Sequence, residues 1–501
     1  LGRLVSNTAF QYRTADNYQV NKQELVYNKL MPTGRVMSQG FRNHSLDQRL
    51  AWNFDNGLQV YLRGNYNNYH TNRPQTAKYY KGSTKKDSKT GLTDTLFTQT
   101  AAYSYDLARE TFLYGAGASW RVNKKTYLEA DFFCDNLVSE RDSFDTSVPG
   151  GTQLTKLTRV YDMTMKGIFN LSAANKLSAG MEMMHETYRS YNFSGRHMNT
   201  FSTYVQDEVQ IIKQLKAVAG LRFVQNQFYG SYLTPSVQLM SALGPFSIRA
   251  GYSTGYRSPT LSQIFYENDE TKTITIGNQD LKPEKSNFLT FGVSYMGKGI
   301  NVGVKGFYNA IRDMISYRTM TNNEIESAGL DTKYPTATKY QQRDNIDEAK
   351  VIGLAANISC YLPYGFSLGG SYTLQHTEAK SVTLDATSQT YISKTEPIDR
   401  SVKSSGNFFG QWNKTWSDYR LAIRMQGRMQ GKRWSTSYGY APAYSQFDLT
   451  TTHTWQTRTA ELEFGIGIEN IFNDRDERPW CSNFSTLNPG RSVMASFAVK
   501  I

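Results

Sequence analysis

Hydrophobic and polar residues alternate strictly along much of this chain. In "ELEFGIGIEN" (461–470), Leu462, Phe464, Ile466 and Ile468 fall on one side, and Glu461, Glu463, Gly465, Gly467 and Glu469 on the other. Successive side chains of an extended strand point to opposite faces, so this segment is a strand with one apolar and one polar face. "PFSIRAGYS" and "SVMASFAVKI" repeat the pattern. Many such stretches pair into hairpins that keep their faces matched. "LAWNFDNGLQVYL" turns at Asp55-Asn56-Gly57, and "LTFGVSYMGKGINVGVKGFY" turns at 297–299, both on residues that tolerate positive φ.

Roughly 18 to 20 strands of about 9 to 13 residues are expected, the length of a tilted strand crossing a bilayer. Short connections are expected near 55–57, 121–125, 172–176, 242–245, 297–299, 362–365, 413–417 and 456–459. Long ones are expected near 69–109, 139–158, 185–198, 256–285, 313–346, 377–401 and 472–489. Alternation of the two kinds collects the turns at one end and the loops at the other. Trp52, Trp120, Trp412, Trp416 and Trp455 lie close to short turns, as a girdle of amphipathic rings at the membrane interface would. The predicted fold is all-β: a transmembrane antiparallel β-barrel of about 20–22 strands, with short periplasmic turns and long extracellular loops, occupying 1–501 as one domain. A propeller would repeat a motif every 40–50 residues or so, and none recurs.

Composition narrows the function. Only 39% of residues are hydrophobic while 13% are aromatic, and no run of 18 apolar residues exists, so no transmembrane helix is expected. The start "LGRLVSNTAF" has no signal-peptide pattern. Cys134, Cys360 and Cys481 are too far apart for a metal motif. The net charge of +13 is dispersed apart from "KYYKGSTKKDSK" (78–89), which reads as a solvated loop, so no nucleic-acid partner is expected. No Gly-x-Ser-x-Gly, His-Glu-x-x-His or phosphate loop appears, so neither an enzyme nor a bound cofactor is expected. Asp131, Asp135, Asp142 and Asp145 gather near one loop without the spacing of a known Ca²⁺ site. About 20 strands enclose more space than side chains fill, leaving a wet lumen or one that needs a plug. Arg249, Asn301, Lys305, Arg420, Arg424, Glu129, Asp131 and the glutamates of 461–469 are expected to line it.

The order of "YVQDEVQIIKQLKAVAGLRF", "SYLTPSVQL", "FSIRAGYSTGYRSPTLSQIFYE", "GNQDLKPEKSNFLTFGVSY" and "GIENIFNDRD…NPGRSVMASFAVKI" over about 200–501 resembles the barrel of TonB-dependent outer-membrane receptors. The resemblance implies a location in the outer membrane of a Gram-negative bacterium. It implies a 22-stranded barrel whose N-terminal plug, coupling box and first strand or two are absent from these residues. It further implies capture of a scarce, bulky metal chelate (ferric siderophore, haem or cobalamin) and import driven by the TonB complex acting through the plug. Outer-membrane lipid, lipopolysaccharide and a surface lipoprotein are the other implied partners. A passive porin, or a receptor for glycans or peptides, is the alternative. The chain ends in Ile501 where the family usually has Phe.

Within that family a Tyr/Phe-Arg-Ala-Pro box and an Asn-Pro-Asn/Asp-Leu box bracket one extracellular loop. The matching residues are Tyr256-Arg257-Ser258-Pro259 and Asn278-Gln279-Asp280-Leu281, with Gln279 in place of Pro. The loop between them has no His, the natural axial ligand of haem iron. The candidate substrate-binding residues are Tyr256, Arg257, Asn278 and Asp280, together with His70, His185, His197 and His376 at the loop-side ends of strands. No resident metal site is expected.

Overall fold

The computed structural model describes residues 3–17, 23–26, 29–32, 40–73, 78–86, 93–101, 105–143, 152–190, 193–265, 267–268, 273–385, 387–436, 439–475 and 490–500. Twenty barrel strands, numbered here in chain order, carry the fold. They are β1 (Leu4–Ala15), β2 (Gly40–Asn53), β3 (Leu58–Arg73), β4 (Tyr105–Arg121), β5 (Thr126–Ser143), β6 (Thr152–Asn170) and β7 (Asn175–Ser190). Then come β8 (Phe193–Ile212), β9 (Leu215–Asn226), β10 (Gly230–Leu243), β11 (Phe246–Arg257), β12 (Glu284–Gly297), β13 (Ile300–Thr319) and β14 (Lys339–Tyr361). The last six are β15 (Phe366–Leu384), β16 (Ser404–Trp416), β17 (Tyr419–Gln430), β18 (Tyr444–Gln456), β19 (Glu461–Glu469) and β20 (Ser492–Lys500). Each pairs antiparallel with the next, so the sheet follows chain order throughout. Among the described residues the outer edges of β1 and β20 take no ladder partner, and Phe10 and Phe497 on them are each 69% exposed.

The alternation seen in the sequence becomes two surfaces. Leu62, Phe291, Leu354, Leu374 and Ile466 stand exposed on the outward face, the inverse of a water-soluble protein and the arrangement expected against lipid. The opposite face carries charge, with Arg222 paired to Glu182, and Lys500 2.8 Å from Glu461. At the turn end the tryptophans form the expected girdle: Trp412–Trp416, Trp416–Tyr419 and Tyr419–Trp455 ring centroids follow at 6.2, 5.8 and 5.2 Å. The Trp120 and Trp412 indoles donate to turn carbonyls of Asn56 and Tyr364 at 3.3 and 3.1 Å. Lys298-Gly299, both at positive φ, make the tight turn between β12 and β13.

Two expectations need correction. Strands are longer than 9–13 residues, reaching 20 in β8 and β13 and 23 in β14, because ladder pairing continues beyond the membrane where hydrophobic alternation has ended. The connections also alternate less strictly than expected. Residues 227–229 are a short link at the loop end, and 213–214 is a turn without Gly, Asn or Asp that the sequence did not mark.

Candidate functional site

Among the described residues, three long connections, 258–283, 320–338 and 385–403, fold onto one another at the loop end and build the mouth. The first, 258–283, leaves β11 at Arg257. The last rung of the β11–β12 ladder pairs Arg257 with Glu284, and the guanidinium Nε donates to Glu284 Oε2 at 2.6 Å while Nη2 closes on Oε1. Glu284 Oε1 also accepts the Ile315 amide of β13 at 2.8 Å, and its side chain is only 14% exposed. Pro259, buried beside this rung, has no amide to continue the ladder.

The second motif is equally occupied. The Asn278 amide donates to the Gln263 carbonyl at 3.1 Å, and its side-chain oxygen accepts the Asp280 amide at 2.9 Å, an Asx turn. Leu281 is buried. Lys282 then exchanges two hydrogen bonds with the Asn345 side chain, at 2.6 and 2.8 Å. Gln279 and Asp280 remain exposed to solvent. Tyr256 is half-buried, with its ring 4.3 Å from that of Tyr232.

Between the two motifs the short helix α1 (Leu261–Phe265) packs Leu261 against Tyr188 of β7 and Met198 of β8. Register puts Tyr188 and Met198 on the face opposite the exposed Met181, Met183 and Phe201, so the helix lies against the lumenal wall. Phe193, Tyr229 and Phe265 complete this small core, and the Arg196 guanidinium covers Phe193 and Phe265 at 5.7 and 5.4 Å. Burial pushes the Tyr229 phenol above its ordinary range.

The second connection, 320–338, carries α2 (Asn322–Ser327), capped reciprocally by Thr321 and Glu324, and α3 (Leu330–Lys333). It reaches the first connection through Glu267, which receives Lys333 Nζ at 2.9 Å and the Tyr334 hydroxyl at 2.7 Å. A parallel pairing of 273–276 with 339–342 adds backbone bonds. Arg318, 13% exposed, ties in the third connection. It donates to Asp344 at 2.8 Å, Glu324 at 2.8 Å and Gln342 at 3.1 Å, and contacts the Tyr391 hydroxyl. Burial alone would raise the Glu324 carboxyl, but bonds from Thr321 and Arg318 outweigh it and hold the group below its usual range. The Asn322 amide bonds to Gln389 at 2.9 Å.

One cation at this level was not singled out by sequence reasoning. Arg343, half-buried on β14, lies over the Tyr317 ring at 3.7 Å, and among the described residues it has no carboxylate partner. Only its place in an irregular part of β14 distinguishes it from other arginines, so no sequence signal marks it. Below the mouth the lumenal face of β17 presents Arg420, Arg424 and Arg428. Arg424 sits 4.3 Å over Phe409 and beside a concavity of about 760 Å³ that Asp448 and Glu469 also line.

All six histidines face outward. His70, His185, His197 and His376 share parity with exposed apolar residues such as Leu62, Met183, Phe201 and Leu374, and so point away from the lumen. His185 and His197 stack at 5.6 Å, His376 meets Glu378 at 3.0 Å, and His70 and His376 stand on strands remote from that pair. His44 and His453 also lie on the outward face. No group of three metal-binding side chains occurs among the described residues. Asp131 accepts the Tyr61 hydroxyl, while Asp145 and Cys481 lie outside the described residues.

Comparison with known proteins gives a family match over nearly the whole chain. Residues 2–471 match the family model described as TonB dependent receptor-like, beta-barrel. The ferric enterobactin receptor of Pseudomonas aeruginosa is 23% identical over 294 residues, 55% of this chain and 37% of that relative. The probable TonB-dependent siderophore receptor PirA of Acinetobacter baumannii is 25% identical over 326 residues, 59% of this chain and 42% of the relative. The chain thus spans less than half the length of these two curated relatives. A crystal structure of a mutant of the Pseudomonas aeruginosa ferric enterobactin receptor superposes with a TM-score of 0.74 at 16% identity, covering 99% of this chain and 75% of that one.

Proposed function

We propose, from the premise that this chain belongs to the TonB-dependent receptor-like β-barrel family, that it is the barrel of an outer-membrane receptor that captures a bulky anionic metal chelate and imports it with energy supplied by TonB. The observation that carries this reading is the mouth itself. Three connections are locked into one body by Glu267, Arg318 and Asn345, and Arg343 stands there half-buried, with no carboxylate partner among the described residues. A locked surface loses less entropy on capturing a ligand than mobile loops do, and a desolvated guanidinium beside an aromatic ring suits a delocalised anion. A passive porin gains nothing from such a cap.

Ferric siderophore is the favoured cargo. Haem capture would call for an imidazole over the lumen, and every histidine faces away from it. The Tyr256-Arg257 and Asn278-Asp280 motifs act here as a frame: Arg257 and Asn278 hold the loop, Tyr256 shares the parity of the outward Tyr252, and exposed Asp280 is the member left nearer to cargo. Calorimetry of the detergent-solubilised full-length receptor with a ferric catecholate, haem and cobalamin tests the proposal. A micromolar or tighter Kd for the ferric catecholate, with weaker haem and cobalamin, is expected. Failure of all three to bind removes it.

A further inference from the structure

The outward face of β12–β15 carries a notch that neither the mouth nor the lumen uses. Register aligns Phe291, Gly306, Leu354 and Leu374 in one row across the four strands. Gly306 has no side chain, and a Cβ there would meet only Leu354 at 3.5 Å and the Phe291 carbonyl at 3.9 Å. The flanking Phe291 and Leu354 are each 58% exposed, so they rise on both sides of the gap. The groove so formed has a volume of about 910 Å³, within the range of small-molecule sites.

Its upper end changes character within two rows. Directly above lie Leu289, Tyr308, Ile352 and His376, and one row higher Lys350 stands opposite Glu378. Lys403, over the Tyr440 ring at 4.8 Å, also borders the groove. The charged row falls ten residues above the Lys298-Gly299 turn, which for a tilted strand is roughly the 25 Å height of an outer-membrane apolar band. Apolar walls below a cationic edge, at the level where hydrocarbon meets headgroups, match a lipid with acyl chains below and a phosphate above.

We propose that this groove is a binding site for an outer-leaflet lipid, with an acyl chain in the notch over Gly306 and its headgroup phosphate held by Lys350 and His376. Lys403, Glu378 at 3.0 Å from His376, and the Lys380–Glu348 pair at 3.6 Å are further charged groups at this edge. Glu378 orients the imidazole and opposes the anion, so Lys350 supplies the main attraction. The inference rests on the outer-membrane reading above.

Native mass spectrometry of the detergent-purified full-length receptor tests it, with dipalmitoyl phosphatidic acid as probe and dipalmitoylglycerol as its uncharged counterpart. Phosphatidic acid should be retained severalfold better than the glyceride. The double variant K350Q/H376Q should lose that preference while keeping glyceride retention, and G306F should lower retention of both. Equal retention of the two lipids by the unaltered protein, or an unchanged preference in K350Q/H376Q, overturns the proposal. Heat-modifiable migration on SDS gels reports folding of each variant. If G306F fails to fold, K350Q/H376Q alone decides. A receptor that binds no chelate yet retains phosphatidic acid would sink the cargo reading and leave this site standing.

Discussion

Arg257 and Glu284 close the base of the first mouth loop. The guanidinium makes a two-pronged contact with a carboxylate that also holds the Ile315 amide, so one side chain binds three strands, β11, β12 and β13, where they leave the membrane. Residues that resemble ligand contacts in sequence are, in three dimensions, the fastening of the loop.

Loss of this fastening should free the loop and spare the barrel. R257A leaves Glu284 largely buried without its cation, a cost of about 1–3 kcal/mol to local stability, tempered because Arg257 is half-exposed. Hydrogen exchange over 258–283 should accelerate about tenfold or more while strands β12 and β13 keep their protection. Unchanged exchange in the loop would show that the pair holds nothing.

Acid should loosen the second connection. The Glu324 carboxyl is held below its ordinary range, so its contribution is complete above the unfolded value of about 4.3 and disappears as pH falls through the lower folded value. Exchange of the 320–338 amides, corrected for the intrinsic rate, should rise below about pH 4. E324Q should exchange fast at neutral pH and lose the acid step. A pH-independent profile in the unaltered protein contradicts this account.

Charge at Arg343 should matter for anionic cargo. R343Q is expected to weaken ferric catecholate binding about tenfold, or 1.4 kcal/mol, with no effect on barrel stability. The conservative R343K should recover part of the loss, since it restores charge without the flat guanidinium that covers Tyr317. Substituting His185 and His197 by Gln should leave cargo affinity unchanged because both face outward. Calorimetry on the four proteins distinguishes these outcomes.

Two glycines offer a matched pair. Gly365 (φ +85°) would place a Cβ 2.0 Å from the Asn413 carbonyl, whereas Gly230 (φ +72°) has nothing within 4 Å. G230A should cost about 1 kcal/mol from the backbone conformation alone. G365A should cost about 1–3 kcal/mol more, because the β14–β15 turn must move away from strand β16. Guanidinium midpoints of the detergent-folded proteins measure both, and equal midpoints would refute the steric argument.

The sequence by itself determined the barrel. Alternation at 461–469 can be satisfied only by a sheet with one apolar and one polar face, and turns such as Lys298-Gly299 fix which strand follows which, since both signals are local. The tryptophan girdle was legible for the same reason: Trp412, Trp416 and Trp455 owe their position to nearby turns. Strand lengths were not legible, because ladder bonds beyond the membrane need no hydrophobic period, as the 23 residues of β14 show. Nor was the mouth. Arg318 meets Tyr391, Glu267 meets Lys333, and Asn345 meets Lys282 across 60 residues or more of chain, and no spacing records such meetings. The histidines show the division most plainly. Their place near strand ends could be read from sequence, but whether they face cargo or lipid followed from register, in which a shift of one residue turns every side chain to the other surface.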